Sequence, residues 1–155
     1  MVVKAAVVSF AHVHAPGHVE QLLRRSDVEV LGAFDDNEER GRYYAGKYGL
    51  RFFKTLDELI KAKPDVAVVD SETSKHKYYI ELLAENNIQV FCEKPIGVNV
   101  KDALDISSIV KKHGILFTTG FNSRLNLENT KAREILTSGT LGRVSMIRVR
   151  VAHPG

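Results

Sequence analysis

The sequence predicts an α/β protein: a doubly wound, mostly parallel sheet with helices on both faces, three layers deep. Short apolar runs alternate with longer amphipathic segments along the whole chain. Strands separated by helical crossovers can pair with one another only in parallel. The apolar runs are also near-continuous, as in Val2 to Ser9, which marks strands covered on both faces. A length of 155 residues suits one such domain.

Each element has its own warrant. Val2 to Ser9 predicts the first strand, and Phe10 to Ala15 a turn. Pro16 suits the first turn of a helix, where its missing N–H costs nothing, and that helix runs to about Arg25. Val28 to Phe34 is the second strand. Asp36 caps the helix that follows and Gly49 stops it. Arg51 to Phe53 is a short strand, and Thr55 with Glu58 three residues on forms a capping box. Asp65 to Asp70 is a buried strand, and Thr73 or Ser74 opens a helix to Asn86 or Asn87. Gln89 to Cys92 is a strand, Val98 to His113 a helix, Ile115 to Gly120 a strand and Leu127 to Ser138 a helix. Val144 to Ala152 alternates apolar with basic or polar residues and predicts a last strand, with one face in solvent. No repeat or low-complexity linker interrupts the pattern.

Composition removes several function classes. The chain has 22 Lys and Arg against 19 Asp and Glu, a net charge of +3 spread along its length. Nucleic-acid binding would cluster that charge and interleave exposed aromatics, so none is expected. No apolar run reaches the ~18–20 residues of a membrane span, so no membrane partner is expected either. The apolar start is too short for a signal peptide, and one cysteine forms no internal disulfide, so a cytoplasmic protein is expected.

Chemistry in an open parallel sheet belongs beyond the carboxyl ends of its strands, where strand order reverses. Those ends carry Ser9-Phe10-Ala11-His12, Asp35-Asp36, Asp70-Ser71-Glu72-Thr73, Glu93-Lys94-Pro95 and Thr118 to Asn122. Asp35 is the most specific of these. An acidic residue closing the second strand, about 20 residues past the first turn, is placed to bind both ribose hydroxyls of an adenosine. It would also repel a 2′-phosphate, favouring NAD over NADP. His12, His14 and His18 could approach a metal ion, but they are few, and Cys92 sits on a buried strand. No metal site is expected.

Val90-Phe91-Cys92-Glu93-Lys94-Pro95-Ile96 resembles the E-K-P segment of the Gfo/Idh/MocA oxidoreductases, the glucose–fructose oxidoreductase and inositol dehydrogenase family. Ala33-Phe34-Asp35 with Glu39-Arg40, Thr73 with His76, and Gly120-Phe121-Asn122-Ser123-Arg124 resemble the same family in the same order. Thr140 to Val144 resembles the segment leading into its second domain. The resemblance implies an N-terminal Rossmann domain binding NAD, with NADP less favoured. It implies that Lys94 is the catalytic lysine, assisting proton transfer as hydride moves to or from a sugar or polyol carbon. Ser9, Phe10, Ala11, His12, His14, Asp35, Thr73, His76, Glu93, Lys94 and Asn122 would line the cofactor, and Pro95 would hold the turn, through a cis bond.

Two departures qualify the implication. The family's G-x-G-x-x-G should fall at 9, 11 and 14, where this chain has Ser9, Ala11 and His14. Dinucleotide binding is therefore expected to be weakened or rearranged, with the helix drawn off or the His14 side chain swung out. The expected division is a dinucleotide-binding domain over 1–142 and, over 143–155, the start of a substrate domain that is truncated or absent. Activity would need that domain, from a separate chain or within a homo-oligomer. The alternative expectation is a non-catalytic Rossmann module that binds a nucleotide or a partner protein.

Overall fold

The computed structural model describes residues 2–150 and 152. Six strands are present among them: β1 (Val3–Val8), β2 (Val28–Phe34), β3 (Phe52–Phe53), β4 (Val66–Val69), β5 (Gln89–Cys92) and β6 (Phe117–Thr119). They form one sheet in the order β3-β2-β1-β4-β5-β6, with every neighbouring pair parallel. The chain winds outward from β1 in one direction, then returns to wind from β4 in the other. The carboxyl ends of β1 and β4 thus flank the switch point.

Six α-helices accompany the sheet: α1 (Ala15–Leu23), α2 (Glu38–Tyr48), α3 (Leu56–Lys61), α4 (His76–Glu85), α5 (Val100–His113) and α6 (Leu127–Thr137). Alternation along β1 assigns the first five to the two faces. Ala6 and Val8 join a large core with Leu59 of α3, Ile80 and Leu83 of α4 and Ile106 of α5. Val7 points the other way, into a smaller core with Ala15 and Val19 of α1, and Tyr44 of α2 packs on its margin. All of these except Tyr44 are fully buried, and burial of such side chains contributes about 1.5–3 kcal/mol each for the larger ones.

Local chemistry sets the element ends. Thr55 Oγ1 accepts from the Glu58 N–H at 3.2 Å, and the Glu58 carboxylate accepts from the Lys54 N–H at 2.9 Å, so the expected capping pair forms. Gly49 ends α2 in the left-handed conformation, φ 65°. Gly32 in β2 has φ 148°, and a Cβ there would overlap the Arg51 carbonyl oxygen, to which Ala33 N–H donates at 2.8 Å. Only glycine lets β2 and the approach to β3 come this close.

Several expectations need correction. Asn37, not Asp36, caps α2: its side chain accepts from the Arg40 N–H at 2.9 Å. Helix α1 stops at Leu23, short of Arg25. Asn99 caps α5 by accepting from Asp102 N–H at 2.9 Å, so that helix starts at Val100 instead of Val98. The strand expected at Val144 to Ala152 does not form over 144–150, and Val151 lies outside the described residues. Alternating apolar and basic residues need a neighbouring edge to become a strand, and no strand pairs with this segment among the described residues. The Lys94–Pro95 bond is cis, as expected.

The chain divides into two compact units, Met1–Gly120 and Phe121–Gly155. The first holds the whole sheet. The second holds a 3₁₀ turn at Asn122–Leu125 and α6. No helix among the described residues is long and apolar enough to cross a membrane.

Candidate functional site

The β1–α1 loop lies at the switch point, and its conformation replaces part of what its missing glycines would supply. Ser9 takes φ 73°, in the left-handed region that ordinarily favours glycine. Its N–H donates to the Phe34 carbonyl at 2.7 Å, which ties the loop to β2. Four further loop amides are also engaged. Phe10 N–H donates to Asp35 Oδ2 at 2.7 Å, Ala11 N–H to Ser9 Oγ at 3.2 Å, His12 N–H to the Asp70 carbonyl at 2.9 Å and His14 N–H to His12 Nδ1 at 3.2 Å. Phe10 stacks on Tyr44 with ring centroids 4.9 Å apart, fixing the loop over α2.

Beneath one side of this loop lies Asp35, its side chain wholly buried. Besides Phe10 N–H it accepts from Asn37 N–H at 2.8 Å and from Arg40 Nε and Nη2 at 2.9 and 2.8 Å. The carboxylate thus faces inward and is fully engaged, which makes it the post on which the loop and α2 are hung. Around it, Arg40 reaches Asp36 at 3.4 Å and Glu72 at 3.7 Å, and Lys75 pairs with both Asp36 and Glu72. Partial burial pushes the Asp36 carboxyl up, but the bond to Lys75 and the nearby charges outweigh it and leave it below its ordinary value. Three carboxylates against two cations leave this end of the crevice acidic. Gly41 brings α2 down onto the post, since a Cβ there would overlap the Phe52 ring and lie 2.8 Å from Asp35 Cβ.

Beneath the other side lies a cluster of a different kind. Glu93, directly after β5, has no exposed side-chain surface. Its Oε1 accepts from Lys94 N–H at 2.7 Å, while Oε2 meets His14 Nδ1 at 3.0 Å, His18 Nε2 at 3.7 Å and His12 Nδ1 at 4.0 Å. The opposite nitrogen of His18, Nδ1, lies 2.9 and 3.1 Å from the two oxygens of Asp70, whose side chain is likewise unexposed. Gly120 makes room here, because a Cβ would lie 3.1 Å from Glu93 Oε1. Burial works against the Glu93 charge, but the His14 hydrogen bond, the Lys94 N–H and the imidazole charges hold its pKa below the usual range. The Asp70 hydrogen bond raises His18, whereas burial lowers His12. His14 is 47% exposed while its Nδ1 stays on Glu93, and Ala15 and Val19 keep α1 packed on Val7 and Ala33 of the sheet.

The remaining expected residues divide. Thr73 opens the 3₁₀ turn before α4 and is half-buried. His76 sits inside the fold, 1% exposed, its ring bridging the carbonyls of Ser71 at 3.2 Å and Ile96 at 3.3 Å. It joins the β4 and β5 tips instead of facing the crevice. Lys94 is half-buried, and its Nζ has no hydrogen bond or ion pair among the described residues. Asn122 belongs to the second unit. Cys92 is a free, buried thiol whose pKa burial drives upward, in keeping with a small core residue. Sequence reading missed Arg40 as the partner of Asp35 and Asp70 as the partner of His18. The Asp35–Arg40 pair has only a faint signal in its closeness in sequence, five residues, since Asp35 precedes the helix that carries Arg40. The His18–Asp70 pair has none, at 52 residues apart.

A parallel sheet in this order, with a loop and helix N-terminus over its switch point, defines a dinucleotide-binding α/β protein. A family profile described as "Oxidoreductase family, NAD-binding Rossmann fold", GFO_IDH_MocA, matches residues 3–121, and the chain belongs to this family. It is 30% identical over 139 residues to a myo-inositol 2-dehydrogenase of Thermotoga maritima, covering 88% of this chain and 42% of that protein. It is 26% identical over 151 residues to a D-glucoside 3-dehydrogenase of Escherichia coli, covering 95% and 42%. A scyllo-inositol dehydrogenase of Lactobacillus casei, solved with NAD(H) and scyllo-inositol, shares the fold with a TM-score of 0.79 at 19% identity. That match covers 92% of this chain and 43% of the other. The chain therefore spans about two-fifths of the length of these relatives. The family read in the E-K-P and G-F-N-x-R segments is the family found.

Proposed function

We propose that this chain is the cofactor-binding part of a dehydrogenase that oxidises a secondary hydroxyl of a sugar or polyol with NAD. The observation that carries this reading is what gathers at the carboxyl ends of the strands: Ser9 in a left-handed turn after β1, the acidic group around Asp35 after β2 and Lys94 after β5.

The residues fit the cofactor by position and charge, in an altered way. Most of the loop amides that would cradle a pyrophosphate are spent on internal acceptors, so the partly exposed imidazoles of His12 and His14 and the start of α1 would hold it. Asp35 acts as a positioning residue for the Phe10 amide, and Asp36 and Glu72 turn the ribose end against a 2′-phosphate. The nicotinamide, when bound, supplies the hydride acceptor. Lys94 would bond the substrate hydroxyl and, as the uncharged amine, take its proton while the hydride leaves, since the residue is half-buried and its Nζ is unpaired among the described residues. Walls for the substrate would come from a further domain, on the same polypeptide, on another chain or in a homo-oligomer. A cytoplasmic setting belongs to this reading, in keeping with a single free buried thiol.

Titration of the chain with NADH, followed by nicotinamide fluorescence, tests the reading. Saturable binding at least tenfold tighter than NADPH, weakened by H12Q/H14Q, is the expected result. Absence of both saturation and thermal stabilisation would defeat it. The internally satisfied loop favours a second reading, a nucleotide or partner-protein module without turnover. Turnover of NAD with a polyol that survives Lys94→Met would remove the lysine's role, and binding without turnover in the complete assembly would select the module.

A further inference from the structure

We propose that His12, His14 and Glu93 form a binding site for a divalent transition ion of the zinc class, with His18 completing it and Asp70 positioning His18. The inference goes beyond the nucleotide reading and does not depend on it.

Donor geometry is the first support. One ligand atom from each of His12, His14 and Glu93 lies within 4.8 Å of the others, and the same holds for His18, Asp70 and Glu93. Donors bound at about 2.0–2.2 Å around one ion stand roughly 3–3.5 Å apart. His14 Nδ1 and Glu93 Oε2 already stand at 3.0 Å, and His18 Nε2 and His12 Nδ1 at 3.7 and 4.0 Å from the same oxygen. His14 and Glu93 need little movement, whereas His12 would release the His14 N–H that its Nδ1 accepts at 3.2 Å, and His18, which shares only Glu93 with the first group, would shift toward the same oxygen. Both ends of the access path are present: Glu93 is closed off, while His14 at 47% and His12 at 23% reach solvent.

The arrangement around His18 is the second support. A metal-bound histidine ordinarily donates its other ring N–H to a carboxylate, which fixes the tautomer and leaves a bare lone pair facing the ion. His18 does this with Asp70 at 2.9 Å. Its Nε2 lone pair is then turned toward an anionic oxygen at 3.7 Å. Two lone pairs facing each other in a buried site need a cation between them, either a proton or a metal ion.

Charge balance is the third. Glu93 and Asp70 are buried without the guanidinium that serves Asp35, and a buried carboxylate without a partner is costly. Apart from the Lys94 N–H on Glu93, imidazoles answer them, and these carry charge only when protonated. Lys94 is the one cation felt at His12 from the β5 side, and it opposes an ion there. Imidazole with carboxylate selects zinc, cobalt or nickel over magnesium or calcium.

The test uses the 155-residue chain, stripped with a chelator and free of nucleotide. Cobalt(II) is titrated by visible absorption, and zinc by displacement of cobalt. One equivalent should bind, unaffected by excess magnesium. His14→Gln should weaken binding at least 100-fold, Asp70→Asn by about 10–100-fold, and His113→Gln not at all. Because buried substitutions risk the fold, the wild-type chain supplies an independent readout: bound zinc, which is diamagnetic, should shift the imidazole protons of His12, His14 and His18 and spare His76. No stoichiometric binding, unchanged affinity in His14→Gln, or shifts confined to other histidines would overturn the site. The two readings share His12 and His14, so they are separated on the wild-type chain: cobalt binding without nucleotide and NADH binding after chelation are independent measurements, and either can fail alone.

Discussion

Asp35 and Glu93 are two carboxylates in the same predicament, solved differently. Each follows a strand of the sheet, each has no exposed side-chain surface, and each sits beneath the β1–α1 loop. Asp35 is met by a guanidinium through two nitrogens and by two backbone N–H groups. Glu93 is met by one backbone N–H and imidazoles. Guanidinium keeps its proton at every pH a protein survives, whereas an imidazole titrates near neutrality. One side of the loop is therefore anchored permanently. The other is anchored conditionally, and a site whose cations come and go is one that can exchange a proton for another ligand.

Removing the permanent anchor should have the largest effect. Asp35→Ala leaves Arg40 without its main partner and the Phe10 and Asn37 amides without their acceptor. Breaking one side of such a pair costs about 3–5 kcal/mol, read as a fall in the urea midpoint at pH 7. Glu93→Gln should cost less, about 1–3 kcal/mol, because the imidazoles facing it can shed their charge. Equal losses would break the contrast. Adding Arg40→Met to Asp35→Ala should restore part of the loss, since no charge is then left stranded.

The next effect separates packing from charge at the same anchor. Gly41→Ala pushes a methyl into the Phe52 ring and Asp35 Cβ, an overpacking cost of about 1–3 kcal/mol. Gly46, one helical turn and a half further along α2, has nothing within 4 Å of a built Cβ. Gly46→Ala should stabilise by about 0.4–1 kcal/mol. If both substitutions moved the melting temperature the same way, the close seating of α2 on Asp35 would not matter to the loop.

The contrast also explains what sequence could reveal. Val28–Phe34 and Gln89–Cys92 were legible to the residue, because buried apolar runs bounded by turn residues leave little choice of register. The strand tips followed, and with them the crevice. The cap of α2 was missed because Asp35, Asp36 and Asn37 are all good caps in sequence. The choice of Asn37 depends on Asp35 turning inward to hold the Asn37 amide. The imidazole cluster was half-legible. Three histidines within one turn and a loop were visible, but the carboxylate that gathers them is 79 residues from His14 and reaches it only through the β1-β4-β5 order of the sheet. Val144 to Ala152 failed for the opposite reason: its pattern was visible, but a strand is completed by its neighbour.

The smallest expected effect lies in pH. Folding raises the His18 pKa, chiefly through the hydrogen bond to Asp70, so its contribution is complete below the unfolded value of 6.5 and is lost as pH rises through the higher folded value. Folding lowers His12, chiefly by burial, and lowers Glu93 against burial through His14. Their contributions are present above 6.5 and 4.5, and are lost as pH falls through the folded values. Wild-type stability should thus decline gently on the alkaline side of neutrality, and His18→Gln should remove that decline. The Asp35→Ala/Arg40→Met variant should keep it, because Arg40, held above its ordinary value by Asp35, does not titrate in this range. Urea unfolding at pH 6 and pH 8 on the three proteins separates the cases. A decline that persisted in His18→Gln would mean that the His18–Asp70 pair is as permanent as the Asp35 anchor, and the distinction between the two sides of the loop would be lost.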